Sequence, residues 1–251
     1  RRQRQMCIRD RYNNLTDAER SVINYINQHE DSIPLMSITT IANNSCTSPA
    51  TVTRAIQKCG FNGITQLRYQ IAQRKNVNSE QESPYIVNAI LNKTFREATK
   101  TIDGIVISSI LKIIDYINSA KRIFLYARGH TTTVAEDFQM HLQLLGYHTI
   151  VVTDVNWMRN TGKIIQKEDL LIIISVRNSS AELNSSARQA QRNGAKVVSF
   201  CCKEGSDLEK NSDVYVLGHS EMIMDRYGLT DFSRIPLFII TRTVIEYLSQ
   251  N

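Results

Sequence analysis

Residues 48–60 read Ser48-Pro49-Ala50-Thr51-Val52-Thr53-Arg54-Ala55-Ile56-Gln57-Lys58-Cys59-Gly60, and the reading of the N-terminal fold turns on them. Serine followed by proline is a helix start. The hydroxyl can accept from an amide of the first turn, and proline's missing N–H falls where no helical partner exists. Gly60 supplies the left-handed residue that often follows a helix end. Between these signals Val52, Ala55, Ile56 and Cys59 fall on one side, the spacing of a buried helical face. The other side carries Ala50, Thr51, Thr53, Arg54, Gln57 and Lys58. Small residues, hydroxyls, an amide and two cations are what a helix lying in a DNA major groove uses.

Immediately upstream, Met36-Ser37-Ile38 starts a short helix, with Ser37 as cap and Ile38, Ile41 and Ala42 inward. Asn43-Asn44-Ser45-Cys46 reads as the turn, so the two helices make a helix-turn-helix pattern. Further upstream, Thr16 with Glu19 three residues later forms a capping box, and Ala18, Val22, Ile23 and Ile26 give the buried face of a first helix fading near His29. Downstream, Ile64–Arg74 reads as a helix with Leu67, Ile71 and Ala72 inward.

Charge distribution says more than the total. The formal net charge is +6, but the first eleven residues hold five arginines and one aspartate, +4, leaving +2 for the rest. Residues 1–11 have neither periodicity nor capping signals and read as a non-native or disordered segment; the functional alternative is a basic arm in a minor groove. From Ser32 to Ser79 there is no Asp or Glu, while Arg54, Lys58, Arg68, Arg74 and Lys75 are present. A basic face without acidic neighbours attracts a phosphate backbone. The alternative is a small helical interaction domain with a merely solvated polar face. The expected DNA contacts are Ser37, Ser48, Ala50, Thr51, Thr53, Arg54, Gln57 and Lys58.

Asn76–Pro84 (NVNSEQESP) is polar and reads as a linker, placed at 78–84 between a helix-turn-helix domain at 12–77 and a second domain at 85–251. Two helical stretches, about Tyr85–Thr99 and Ile105–Asn118, precede alternating strands and helices. The strands are Arg122–Ala127, His148–Val152, Leu170–Ser175, Lys196–Phe200 and Val214–Leu217. Helices are expected at Thr132–Leu145, Ser180–Asn193 and Ile235–Leu248. Apolar strands alternating with helices imply a parallel sheet covered on both faces. Ligands of such sheets gather at the carboxyl ends of the strands.

Two strand ends carry polar loops. The first is Ala127-Arg128-Gly129-His130-Thr131-Thr132-Thr133 and the second Ser175-Val176-Arg177-Asn178-Ser179-Ser180. Each leads into a helix, whose free N–H groups favour an anion. Hydroxyls beyond the needs of helix capping suggest a pocket for a phosphate and sugar hydroxyls. Its expected lining is Gly129, His130, Thr131, Thr132, Ser175, Arg177, Asn178, Ser179 and Ser180.

At this point the sequence resembles the RpiR-type regulators, in which a helix-turn-helix domain is joined to a SIS (sugar isomerase) domain. The likeness runs from Asn13 to Ser249. It lies in Leu15-Thr16 with Glu19, in Met36-Ser37-Ile38, in Ser48–Arg54 leading to Gly60-Phe61-Asn62-Gly63, in Val134–Met140 and in Asn193–Val197. The resemblance implies two domains, an all-α helix-turn-helix bundle and then an α/β/α SIS domain with five parallel strands. It implies a cytoplasmic homodimer or homotetramer on a palindromic double-stranded operator, with a phosphosugar as effector and genes of carbohydrate metabolism as targets. Two departures stand out: Ala127 and Thr131 replace the usual glycine and serine of the first loop, and Arg177 and Asn178 replace serine and glycine of the second. Asn tolerates a left-handed backbone. Arg177 either pairs with the phosphate or fills the pocket.

SIS domains also serve as isomerases, so the alternatives are a sugar-phosphate isomerase and a non-catalytic sugar-phosphate-binding protein. Candidate bases are Glu182, Glu136, His130 and His219, but spacing defines no acid/base pair, and no catalytic residue is expected. No run is long and apolar enough to span a membrane. No His/Cys cluster has metal-ligand spacing, so no metal or cofactor is expected. Cys7, Cys46, Cys59, Cys201 and Cys202 read as reduced thiols.

Overall fold

The computed structural model describes residues 15–75, 82–178 and 180–250, with backbone alone at 69, 72–75 and 82–85. Residues 1–11, the linker residues 78–81, Cys7 and Ser179 lie outside the described residues. The chain divides into two compact units between Phe95 and Arg96.

The first unit is all helical. Helices α1 (Asp17–Gln28), α2 (Ile38–Asn44), α3 (Pro49–Lys58) and α4 (Ile64–Lys75) follow one another, with a 3-10 turn at Ile33–Leu35. The caps expected of the sequence are formed. Thr16 and Glu19 close the capping box on α1, Ser37 accepts from the Thr40 amide, and Ser48 accepts from the Thr51 amide with Pro49 at the first position. Gly60 takes φ +92° behind α3, and Cys46 takes φ +52° in the turn between α2 and α3. The core gathers Leu15, Val22, Ile23, Ile26, Ile33, Ile41, Ala42, Val52, Ala55, Ile56, Leu67 and Ile71. One expected core residue is corrected: Ala18 is exposed, and Glu19 takes the inward position beside it.

A long helix, α5 (Glu82–Gly104), follows. Glu82–Pro84, expected to close the linker, are its first turn, where proline costs no helical hydrogen bond. Next come α6 (Ile107–Ser119), β1 (Arg122–Ala127), α7 (Thr132–Leu144) and β2 (Thr149–Val152). They are followed by two short helices, α8 (Val155–Arg159) and α9 (Thr161–Ile164), then β3 (Asp169–Ser175), α10 (Ala181–Arg192) and β4 (Lys196–Cys201). After α11 (Asp207–Lys210) and β5 (Val214–Leu217), a hairpin of β6 (Met222–Arg226) and β7 (Leu229–Phe232) leads to α12 (Ile235–Leu248).

The five-stranded sheet is parallel throughout, in the order β2-β1-β3-β4-β5. Because side chains alternate along a strand, each strand feeds two cores. Ile123, Leu125, Leu170, Ile172, Ile174 and Phe200 pack under α6, α7 and α12. Phe124, Tyr126, Leu171, Ile173 and Val197 pack against Met158, Leu183, Ala187 and Ala190 on the other side. Helices thus cover both faces, as the unbroken apolar strands predict. The register brings the carboxyl ends of β1 and β3 side by side, with Ala127 opposite Ile174.

The sequence reading left residues 218–234 unassigned. They hold the β6–β7 hairpin, whose two-residue turn, Tyr227-Gly228, has both φ values positive, at +53° and +73°. That is the turn whose twist matches a hairpin, but its first position ordinarily carries Asn, Asp or Gly.

Candidate nucleic-acid interface and ligand cleft

On α3, Val52, Ala55 and Ile56 are buried, while Ala50, Arg54, Gln57 and Lys58 are exposed and Thr51 and Thr53 half-buried. Ser37 and Ser48 are exposed at the starts of α2 and α3. The expected contact residues are therefore all at least partly accessible, but they are not equally free. The Thr53 hydroxyl donates to the Pro49 carbonyl (3.0 Å), and the Ser48 and Thr51 hydroxyls meet at 2.9 Å. The side chains of Arg54 and Gln57 have no polar partner among the described residues.

Two basic residues also make bonds within the domain. Lys58 Nζ donates to Glu19 Oε2 at 2.8 Å, and the Glu19 side chain is only 5% exposed. The Lys58 hydrogen bond, the Thr16 amide and the Thr16 hydroxyl together hold the Glu19 carboxyl below its ordinary value against its burial. Lys58, its side chain 43% exposed, is thus tied to α1 through one of its three N–H donors. Arg68 donates to the Met36 carbonyl, and burial lowers its affinity for its proton. It braces the domain rather than extending its basic face.

At the carboxyl ends of β1 and β3 lies a cleft of about 260 Å³. Of the expected lining, His130, Thr131, Ser175, Arg177 and Ser180 border it. Gly129 and Thr132 do not. Gly129, at φ +58°, makes the turn, and the Thr132 hydroxyl donates to its carbonyl at 2.9 Å. Asn178 does not border the cleft either. It takes the left-handed φ of +46°, its amide donates to Ser175 Oγ (3.0 Å) and its side chain to Asn184 (3.0 Å). The glycine-like conformation of this loop is therefore kept by an asparagine.

Neither α7 nor α10 receives a side-chain cap, although Thr131 and Ser180 occupy the cap positions. In the first unit Thr16, Ser37 and Ser48 all cap their helices. Ser180 is diverted: its hydroxyl accepts from Arg128 Nη1 (2.9 Å) and donates to Glu182 Oε2 (2.9 Å). Glu182 is further held by Arg128 (3.3 Å) and Arg159 (3.2 Å). Its own backbone amide first, then Ser180 and these arginines, keep its carboxyl below the ordinary value.

Sequence reading missed the third wall, Thr230, Asp231, Phe232 and Arg234 from β7 and the residues after it. Arg234 grips Asp231 through two bonds of 2.7 and 3.0 Å, and His130 Nδ1 lies 3.4 Å from the same carboxylate. The Arg234 bonds dominate in lowering the Asp231 carboxyl to about 2. The Arg177 guanidinium lies over the Phe232 ring, 4.8 Å from its centroid. Arg128 was missed as well, though it stands in the quoted first loop. The hairpin residues offered no signal, being about a hundred residues beyond the loop they face.

The four candidate bases are not assembled. Glu182 is pinned by arginines, Glu136 is exposed on α7, His130 stands at the cleft rim, and His219 lies beside Lys100 (3.5 Å) and Glu221 (3.6 Å). A proton-abstracting carboxylate works best with its pKa raised toward neutrality, the reverse of Glu182. No helix among the described residues is long and apolar enough to cross a membrane, and no His, Cys, Asp or Glu group among them could hold a metal ion.

Comparison with known proteins agrees with these two units. A helix-turn-helix domain of the rpiR family matches residues 3–77, and a SIS domain matches residues 116–241. Fold and site thus define the class, a helix-turn-helix transcriptional regulator that carries a SIS domain. An HTH-type transcriptional regulator of Clostridium perfringens is 28% identical over 249 residues, covering 94% of this chain and 88% of its own. The NanR protein of Vibrio vulnificus, solved in complex with ManNAc-6P, has a TM-score of 0.59 at 20% identity over 97% of this chain and 90% of its own. A phosphoheptose isomerase of Francisella tularensis shares the SIS fold, with a TM-score of 0.54 at 16% identity over 67% of this chain and 99% of its own. The chain belongs to the RpiR family of transcriptional regulators.

Proposed function

We propose that this regulator binds operators of carbohydrate-metabolism genes through α3 and tunes that binding with a phosphosugar held in the SIS cleft. The observation that carries the effector half is the anion seat: two helix starts without side-chain caps beside Thr131, Ser175 and Ser180. Backbone amides at a helix start, joined to hydroxyls, suit a phosphate, and the neighbouring polar groups suit sugar hydroxyls. Of the other residues expected of the loops, Gly129 and Asn178 shape that seat through their left-handed backbones. The phosphosugar found with NanR makes ManNAc-6P the first probe.

On the DNA side Arg54 and Gln57 read base edges, while Ser37, Ser48, Ala50, Thr51 and Thr53 allow close approach and position the backbone. The regulator works as a cytoplasmic homodimer or homotetramer on a palindromic double-stranded operator, without catalytic turnover, metal or cofactor. Exposed Ile86, Val87, Ile90, Leu91 and Phe95 along α5 support self-association. Effector binding changes the packing of the paired SIS domains and so the spacing of the two recognition helices.

Thermal unfolding of the full chain with a panel of sugar phosphates, ManNAc-6P first, tests the effector reading. A phosphorylated ligand raises Tm with concentration while its unphosphorylated parent does not. A panel that leaves Tm unchanged throughout would sink it.

A further inference from the structure

The cleft's charged groups are largely spent on one another. Arg128 is committed to Ser180 and Glu182, and Arg234 to Asp231, which also faces His130. Arg177 alone among these arginines has no carboxylate partner among the described residues; its guanidinium lies over the ring of Phe232. A guanidinium whose contact is an aromatic ring rather than a carboxylate keeps its N–H donors available to bind an oxyanion bidentately. Arg177 and Phe232 both border the cleft, and the ring contact sets the guanidinium beside β7.

The charge balance of the lining points the same way. Arg128 and Arg234 are offset by Glu182 and Asp231, which leaves Arg177 as the fixed cation available to a ligand. A phosphate monoester carries about −1.5 to −2 at neutral pH. The Arg177 guanidinium, with the Thr131, Ser175 and Ser180 hydroxyls beside it in the lining, complements that charge.

We propose that Arg177 is the phosphate-reading cation of the effector cleft and that Phe232 is the residue that positions it, which makes the β6–β7 hairpin part of effector recognition. This rests on the phosphosugar reading above and adds a requirement to it. The ligand class is fixed by its phosphate, and the aromatic platform, on a hairpin remote in sequence, sets how well that phosphate is held.

The test uses the full-length protein and two probes, inorganic phosphate and ManNAc-6P. The Nε–Hε resonance of Arg177, assigned through Arg177→Lys, is followed by NMR while phosphate is added, and the affinity for ManNAc-6P is measured by calorimetry. The resonance should shift in the wild type and in Phe232→Tyr, which keeps the ring. Phe232→Leu should lose most of the shift and bind ManNAc-6P about fivefold more weakly, while Phe232→Tyr stays within about twofold of the wild type. Arg177→Lys keeps the charge but not the plane, and should fall with Phe232→Leu. An unmoved Arg177 resonance, or equal loss in the Tyr and Leu variants, overturns the proposal even where ManNAc-6P binds. A resonance that shifts with phosphate while ManNAc-6P and other sugar phosphates fail to bind upholds the seat and rejects the phosphosugar reading instead.

Discussion

Arg54 and Lys58 stand four residues apart on the same exposed side of α3, yet the structure gives them different work. Arg54 is free among the described residues, whereas Lys58 neutralises the buried carboxylate of Glu19. Arg54→Ala should therefore weaken operator binding by about tenfold while leaving Tm unchanged, the usual cost of a lost base or phosphate contact. Anisotropy on a selected duplex reads the first quantity and thermal unfolding the second; undiminished affinity removes Arg54 from the interface. Lys58→Met strands Glu19 and should cost stability at neutral pH. Since Glu19 is held below its ordinary value of 4.5, its contribution is present above that value and lost as pH falls through the lower folded one. The Tm gap between wild type and Lys58→Met is thus widest near neutrality and closes in acid. A gap constant across pH would show that the pair is not its source. Helical spacing in the sequence put both residues on the outer face. It could not reveal that one is spoken for, because Lys58 and Glu19 lie 39 residues apart.

At the scale of elements, local signals performed best where they are repeated. The capped helices of the first unit and the five strands declare themselves through caps, periodicity and unbroken apolar runs, and the observed bounds differ from the expected ones by one or two residues. The largest difference is at α2, which takes in Asn43 and Asn44 of the expected turn. Ser48→Ala removes the cap of α3 and should cost about 1 kcal/mol, seen as a lower Tm; an unchanged Tm would mean that the Ser48 hydroxyl contributes no net stability. The β6–β7 hairpin escaped because β6 is exposed at every position and so shows no buried alternation, and because its turn breaks the usual rule. Tyr227 sits left-handed at φ +53° and is 95% exposed. A bulky residue there costs about 1 kcal/mol or more, which Asn largely avoids. Tyr227→Asn should raise Tm; a fall would show that the tyrosine ring has a stabilising role of its own. The missing hairpin is also why the sequence yielded only two walls of the cleft. The loops after β1 and β3 could be read from their hydroxyls, but Phe232 and Arg234 join them only through folding.

For the whole molecule, the total charge is a poor guide and its distribution a good one. Most of the +6 lies in the first eleven residues, yet the acid-free stretch from Ser32 to Ser79 contains the helix that carries Arg54 and Gln57. The central claim is that one chain joins a DNA-reading helix to a cleft whose phosphorylated ligand changes that reading. The most direct test is the affinity of the full chain for a selected palindromic duplex, with and without a saturating sugar phosphate that raises its Tm. The account predicts that the ligand changes the affinity or the preferred half-site spacing, and that the affinity falls steeply with salt as phosphate contacts are screened. An operator affinity and half-site spacing identical with and without the bound ligand would contradict it.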